Sequence, residues 1–143
     1  GMCGGQALDL AATNNIVSVD QLEKIHRLKT GALICSAVEL GAIAGNATFE
    51  QRELLSTFAQ NIGLAFQVHD DILDVIGDTE TLGKPQGSDQ AANKSTYPAL
   101  IGLEAAQQKA QQLISQAISS LQALPFDSTL LQAFARYIIA RNQ

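Results

Sequence analysis

Phe66-Gln67-Val68-His69-Asp70-Asp71-Ile72-Leu73-Asp74 is the stretch that decides how this chain reads. It sets three carboxylates and one amide into an otherwise apolar run. Asp70, Asp71 and Asp74 stand at i, i+1 and i+4, with Gln67 one turn earlier. At ~3.6 residues per turn, these four fall within one broad face of a helix. Like charges at that spacing repel by roughly 0.2–0.5 kcal/mol per pair. The helix macrodipole also disfavours anions at a C-terminal end. A solvated acidic turn is therefore a poor account, and an offsetting cation is expected. Clustered hard oxygen donors suit Mg²⁺, which keeps several waters and joins one or two carboxylates to substrate phosphates. The carboxylates sit on a helix rather than on a twelve-residue ligand loop, which excludes an EF-hand.

Outward from this run, the pattern is helical throughout. Leu54, Leu55, Phe58, Ile62, Ala65, Phe66 and Leu73 give a long helix ending near Ile76 a wide apolar surface. Thr48-Phe49-Glu50-Gln51 is a capping box that starts it, and Gly77-Asp78 ends it. Upstream, Ser18-Val19-Asp20-Gln21 is a second capping box. It opens a helix predicted to run to about Ala44, with Leu22, Ile25, Leu28, Ala32, Leu33, Ala37 and Leu40 at apolar positions. Residues 2–13 read as a short helix that Asn14-Asn15 breaks. Downstream, residues 78–95 form the one long irregular segment, and long loops in compact domains are often functional. Ser95-Thr96-Tyr97-Pro98 starts a short helix with Pro98 in its first turn. Helices over 103–123 and 127–141 follow. No strand pattern, repeat or linker appears, so the class is all-α, one helical domain over residues 1–143.

Composition limits the partners. The chain has 46% hydrophobic and 16% charged residues, which argues for a buried core and against disorder. A net charge of −5 argues against nucleic acid, whose phosphates call for basic surfaces. No apolar run is long enough for a membrane span. Cys3 and Cys35 are too few and too scattered for a disulfide framework or a zinc site. A reducing, cytoplasmic compartment is expected, with both cysteines as small buried hydrophobes. His26 is expected to pair with Glu23 or solvent on a helix face. His69 points roughly 100° away from Asp70, and neither histidine has the partners of a general base.

The cations are Lys29 in Lys29-Thr30-Gly31, Lys84 in Gly83-Lys84-Pro85-Gln86-Gly87-Ser88-Asp89, and Lys94 in Lys94-Ser95-Thr96-Tyr97-Pro98. Singly, each is an ordinary surface lysine, and the Gly-Lys loop lacks the spacing of a P-loop. With the acidic run they describe a diphosphate site, where lysine acts as a compact point charge.

In this order, together with Gly4-Gly5-Gln6 upstream, the five motifs resemble the trans-prenyl diphosphate synthases. The whole chain, to the closing Tyr137-Ile138-Ile139-Ala140-Arg141-Asn142, is similar to the C-terminal half of a bacterial farnesyl-type (short-chain) synthase. The resemblance implies an isoprenoid-synthase helical bundle around an apolar cavity. It implies Mg²⁺ on Asp70 and Asp74, supported by Asp71. It further implies that Lys29, Thr30, Gln67 and Lys84 hold the allylic diphosphate, with Lys29 and Lys84 as the catalytic cations, and that Arg141 approaches isopentenyl diphosphate. The family faces two Asp-rich motifs across the site, and this sequence carries only the second. The expectation is therefore a chain that starts within a longer protein, is inactive alone, and associates with itself or with the absent half. A terpene cyclase is disfavoured by the Lys84 and Lys94 segments. The alternative from another class is a truncated or regulatory helical subunit that pairs with an active synthase.

Overall fold

The computed structural model describes residues 1–76, Gly87 and residues 94–141. Among these residues every regular element is helical, as the sequence pattern predicts. The helices are α1 (Met2–Ala12), α2 (Val19–His26), α3 (Ala32–Ala44), α4 (Phe49–Ile76), α5 (Tyr97–Ile101), α6 (Leu103–Gln122) and α7 (Thr129–Ala140). Both capping boxes form. Ser18 accepts from the Gln21 amide while the Gln21 side chain accepts from the Ser18 amide. Thr48 and Gln51 exchange the same pair of bonds. The predicted helix ends hold as well: Asn14, in the predicted break, and Asn46, just past the end predicted near Ala44, have positive φ, at 63° and 53°, a conformation asparagine tolerates.

One predicted helix is not uniform. Between α2 and α3, Arg27–Gly31 winds as a π-helical segment. Such wide turns are rare and often occur at functional positions, and this one carries Lys29 and Thr30. A single extra residue in the turn is invisible to a periodicity argument, because the flanking apolar positions still repeat at nearly helical spacing.

α4 is the central element. Phe58, Leu64, Ala65 and Val68 are almost wholly buried, against Ala106, Leu113, Ala117 and Leu121 of α6. Two close approaches fix the other neighbours. A Cβ on Gly63 of α4 would lie 3.0 Å from the Cα of Gly31, so the π segment crosses α4 where neither backbone carries a side chain. A Cβ on Gly5 would lie 2.2 Å from the Lys29 nitrogen, so α1 packs directly on the same segment. Arg52 of α4 pairs with Glu39 of α3.

Two expectations need correction. Leu33 and Leu40, assigned to an apolar face, are exposed at 64% and 68%, and Ile43 beside them is exposed too. Only Ala42 of α3 is fully buried, because α3 meets α4 along a narrow strip. Cys3 is exposed and Cys35 partly buried, so neither is the buried hydrophobe expected. Both are unpaired thiols, and burial pushes the Cys35 thiol up. No helix among the described residues is long and apolar enough to cross a membrane.

Candidate functional site

The acidic run ends α4, and its three carboxylates differ in exposure and in partners. Asp70 is outermost. Its side chain is 43% exposed and accepts from the Arg141 guanidinium at 2.8 Å. That guanidinium also lies 4.0 Å over the Phe66 ring, a cation–π contact. Asp71 points inward. One of its oxygens, Oδ2, accepts from the Tyr97 backbone N–H at 2.9 Å and from His26 Nε2 at 3.3 Å. Asp74 lies one turn further on and is 2% exposed, and its backbone carbonyl accepts from Gly87 at 2.9 Å.

His26 thus meets neither Glu23 nor solvent, the two partners expected. It is buried, stacks on the Tyr97 ring at 5.8 Å and bonds Asp71. The misreading has a simple cause: Asp71 lies 45 positions away in sequence, beyond any local spacing rule. His69 donates from Nε2 to the Arg141 carbonyl at 3.0 Å and so fastens the chain's end to α4.

The cations form a second group. Lys29 Nζ lies 2.7 Å from Asp9 Oδ2, and Lys94 Nζ lies 3.9 Å from the same oxygen. One carboxylate therefore stands between two ammonium groups. Asp9 was not singled out from sequence. The available signal was its spacing: Asp9 follows Gly5 by four residues, so it shares the helix face that packs against Lys29. Thr30 and Gln67 are half-buried. Lys84 and its loop motif, apart from Gly87, lie outside the described residues. The π segment crosses α4 at Gly63, seven residues before Asp70, or ~10 Å along the axis at 1.5 Å per residue. Lys29 and the acidic helix end therefore belong to one region of the fold, although no bond joins them.

A third network supports the site from behind. Glu23 receives bonds from Arg27 at 2.7 Å and from the Tyr97 hydroxyl at 3.2 Å, with Lys109 at 3.5 Å. Burial pushes the Tyr97 hydroxyl up, and the Glu23 carboxylate adds to this, so Tyr97 keeps its proton and donates. Burial alone would raise the Glu23 carboxyl. The Arg27 bond, the Lys109 and Arg27 charges and the Tyr97 hydroxyl together hold it below the usual range. Because its folded value is depressed, the stability Glu23 supplies is complete above the unfolded carboxylate pKa of ~4.3. It is lost as the pH falls through the lower folded value. Glu23→Gln is expected to flatten the acid side of a urea-midpoint profile recorded from about pH 6 down to about pH 3. An unchanged acid slope would remove Glu23 from the account.

Among the described residues, no three His, Cys, Asp or Glu side chains stand close enough to enclose a metal. The donors present fit a different kind of site. Asp70 is an accessible hard-oxygen donor that already draws a cation, with Asp74 one turn away. That suits Mg²⁺ held by one or two carboxylates and completed by water and phosphate, not an all-protein cage. Near the start of α7, a separate apolar cavity of ≈ 510 Å³ is lined by Val38, Ala42, Leu55, Phe58, Phe126 and Leu131.

Residues 1–125 match the family model described as polyprenyl synthetase. Farnesyl diphosphate synthase of Escherichia coli (strain K12) is 58% identical over 147 residues, which cover 100% of this chain and 49% of that protein. Polyprenyl synthase from Caulobacter crescentus CB15, solved with calcium and isoprenyl diphosphate, superposes with a TM-score of 0.91 at 25% identity over 99% of this chain and 56% of that one. Heptaprenyl diphosphate synthase from Staphylococcus aureus gives a TM-score of 0.95 over 99% of this chain and 57% of that one, a likeness of fold at 22% identity. The chain spans about half the length of the curated relatives it matches.

Proposed function

The chain belongs to the polyprenyl synthetase family, and from that premise we propose that it supplies the allylic-diphosphate side of a short-chain prenyltransferase. The observation that carries the proposal is the pairing of two features on one helix. α4 ends in Asp70, Asp71 and Asp74, and the π segment bearing Lys29 and Thr30 crosses it at Gly63. In this reading Asp70 and Asp74, supported by Asp71, are the Mg²⁺-facing carboxylates. Lys29, Thr30, Gln67 and Lys84 hold the diphosphate, and Lys29 and Lys84 act as the catalytic cations. The Caulobacter crescentus relative, solved with calcium and isoprenyl diphosphate, supports a site of this chemical kind in the fold.

The chemistry follows from charge. The allylic C–O bond breaks, and its electron pair leaves with the diphosphate. The ammonium groups of Lys29 and Lys84 stabilise that leaving charge. Bound Mg²⁺ would supply further Lewis-acid neutralisation of the same oxygens. The double bond of isopentenyl diphosphate attacks the allylic cation, and a proton is then lost. The departed diphosphate can accept that proton, so no catalytic histidine is needed. Arg141 is proposed to release Asp70 when Mg²⁺ and substrate enter. Two unpaired thiols support a reducing, cytoplasmic setting.

The test is calorimetric titration of inorganic pyrophosphate into the chain with and without Mg²⁺. Binding is expected only with Mg²⁺, and Lys29→Ala should weaken it about tenfold, the loss of one charge-assisted contact. Absence of Mg²⁺-dependent binding would sink the proposal.

The exposed apolar residues Leu33, Leu40 and Ile43 of α3, with Phe134 and Tyr137 of α7, favour a companion reading. These surfaces suit association with further helices or a second copy. The facing Asp-rich motif that the resemblance calls for is not among the 143 residues. Binding without turnover is therefore expected when the chain is assayed alone with Mg²⁺, dimethylallyl diphosphate and isopentenyl diphosphate. Ready product formation would overturn this half of the proposal, and a non-catalytic partner role would fall with it.

A further inference from the structure

We infer that Asp71 is not a metal ligand but a positioning residue, and that His26 is its essential partner. This inference rests on the diphosphate-site reading above and redistributes roles within it. Asp70 and Asp71 are neighbours, yet their side chains serve different surroundings. The Asp71 side chain is 9% exposed, against 43% for Asp70. Among the described residues, both hydrogen bonds to Asp71 end on the same oxygen, Oδ2, and both donors come from other elements. A carboxylate turned inward and committed to two protein donors is poorly placed to coordinate a metal at the outer face.

What the two bonds join is informative. His26 is the last residue of α2 and immediately precedes the π segment. Lys29 and Thr30 are three and four residues later. Tyr97 is the first residue of α5, directly after Lys94-Ser95-Thr96. Asp71 itself sits between Asp70 and Asp74. One oxygen atom thus ties together the lysine–threonine segment, the acidic helix end and the residues following Lys94. The rings of His26 and Tyr97 stack with planes 20° apart, which holds the imidazole donor in place.

The tautomer follows from the acceptor. A carboxylate oxygen only accepts, so His26 carries its proton on Nε2. Among the described residues, Nδ1 is buried and has no hydrogen-bond partner. An unsatisfied buried nitrogen costs stability. Its presence fits a histidine retained for its Nε2 donor rather than for packing.

The experiment uses the whole chain, with Mg²⁺ and inorganic pyrophosphate as probes and with nitrogen NMR of the histidine ring. In the wild type, His26 should show the Nε2–H tautomer with a slowly exchanging proton, a readout that needs no ligand. His26→Phe keeps the ring stack and removes the donor. It should weaken Mg²⁺-pyrophosphate binding about tenfold and leave the helical circular dichroism intact. His26→Gln places an amide donor near the Nε2 position and should recover affinity to within about threefold. Asp71→Asn keeps an acceptor oxygen for Tyr97 and His26 and should also stay within about fivefold. Asp70→Asn, which removes an outward ligand, should cost at least a hundredfold. The inference falls if Asp71→Asn is as damaging as Asp70→Asn, since Asp71 would then be a ligand. It also falls if His26→Phe binds like the wild type, if His26→Gln is no better than His26→Phe, or if His26 holds its proton on Nδ1. Should the wild type itself fail to bind Mg²⁺-pyrophosphate, the diphosphate-site reading fails, and the ring-proton measurement still decides the His26–Asp71 bond on its own.

Discussion

Gly5→Ala is expected to undock α1 and raise hydrogen exchange of its amides roughly a hundredfold, the equivalent of about 3 kcal/mol of overpacking. The added methyl would lie 2.2 Å from the Lys29 nitrogen and 2.5 Å from its Cα. Both are backbone atoms of a segment already pinned on its other side, where Gly63 meets Gly31. Neither can yield as a side chain would. The cheaper response is for α1 to leave. Once undocked, an 11-residue helix is too short to persist in water, so its amides lose protection together. Asp9 would leave with it, and Lys29 and Lys94 would lose the carboxylate between them. Gly4→Ala is the control, because nothing stands within 4 Å of the added methyl there. It should leave exchange unchanged or slow it slightly, alanine being the better helix former. Equal behaviour of the two variants would refute the close approach.

Phe58→Ala is expected to cost about 3–5 kcal/mol, a large share of the ~5–15 kcal/mol typical of a folded domain. Phe58 is 1% exposed and sits in the first half of α4, the helix against which most other elements pack. It also lines the apolar cavity of ≈ 510 Å³. Truncation would join new empty space to a void already present, so the surroundings have little nearby material with which to close it. Urea unfolding followed by circular dichroism gives the measurement. A loss under about 1.5 kcal/mol, the size of a tolerated swap, would mean that the core around Phe58 collapses freely.

Much of the secondary structure was legible because its signals are local. The Ser18–Gln21 and Thr48–Gln51 boxes, the asparagine breaks and Pro98 each act within a few residues, and each stands where the sequence puts it. The acidic run was legible for the same reason. What escaped was non-local. Asp9 with Lys29, His26 with Asp71 and Arg141 with Asp70 are pairs separated by 20, 45 and 71 positions. The π turn escaped because one extra residue barely disturbs the apolar repeat. The exposure of Leu33 and Leu40 escaped because hydrophobic character says that a face wants a partner, not which surface provides one.

Asp70 and Asp71 show where the boundary lies. Sequence by itself determined that two identical carboxylates stand side by side near the end of an apolar helix, and that they project ~100° apart. Which of them would turn toward solvent and Arg141, and which toward His26 and Tyr97, depended on how α4 is rotated against α2, α5 and α7. Only tertiary packing sets that rotation, because the apolar residues of α4 surround most of its circumference and leave no single face for the pattern to choose.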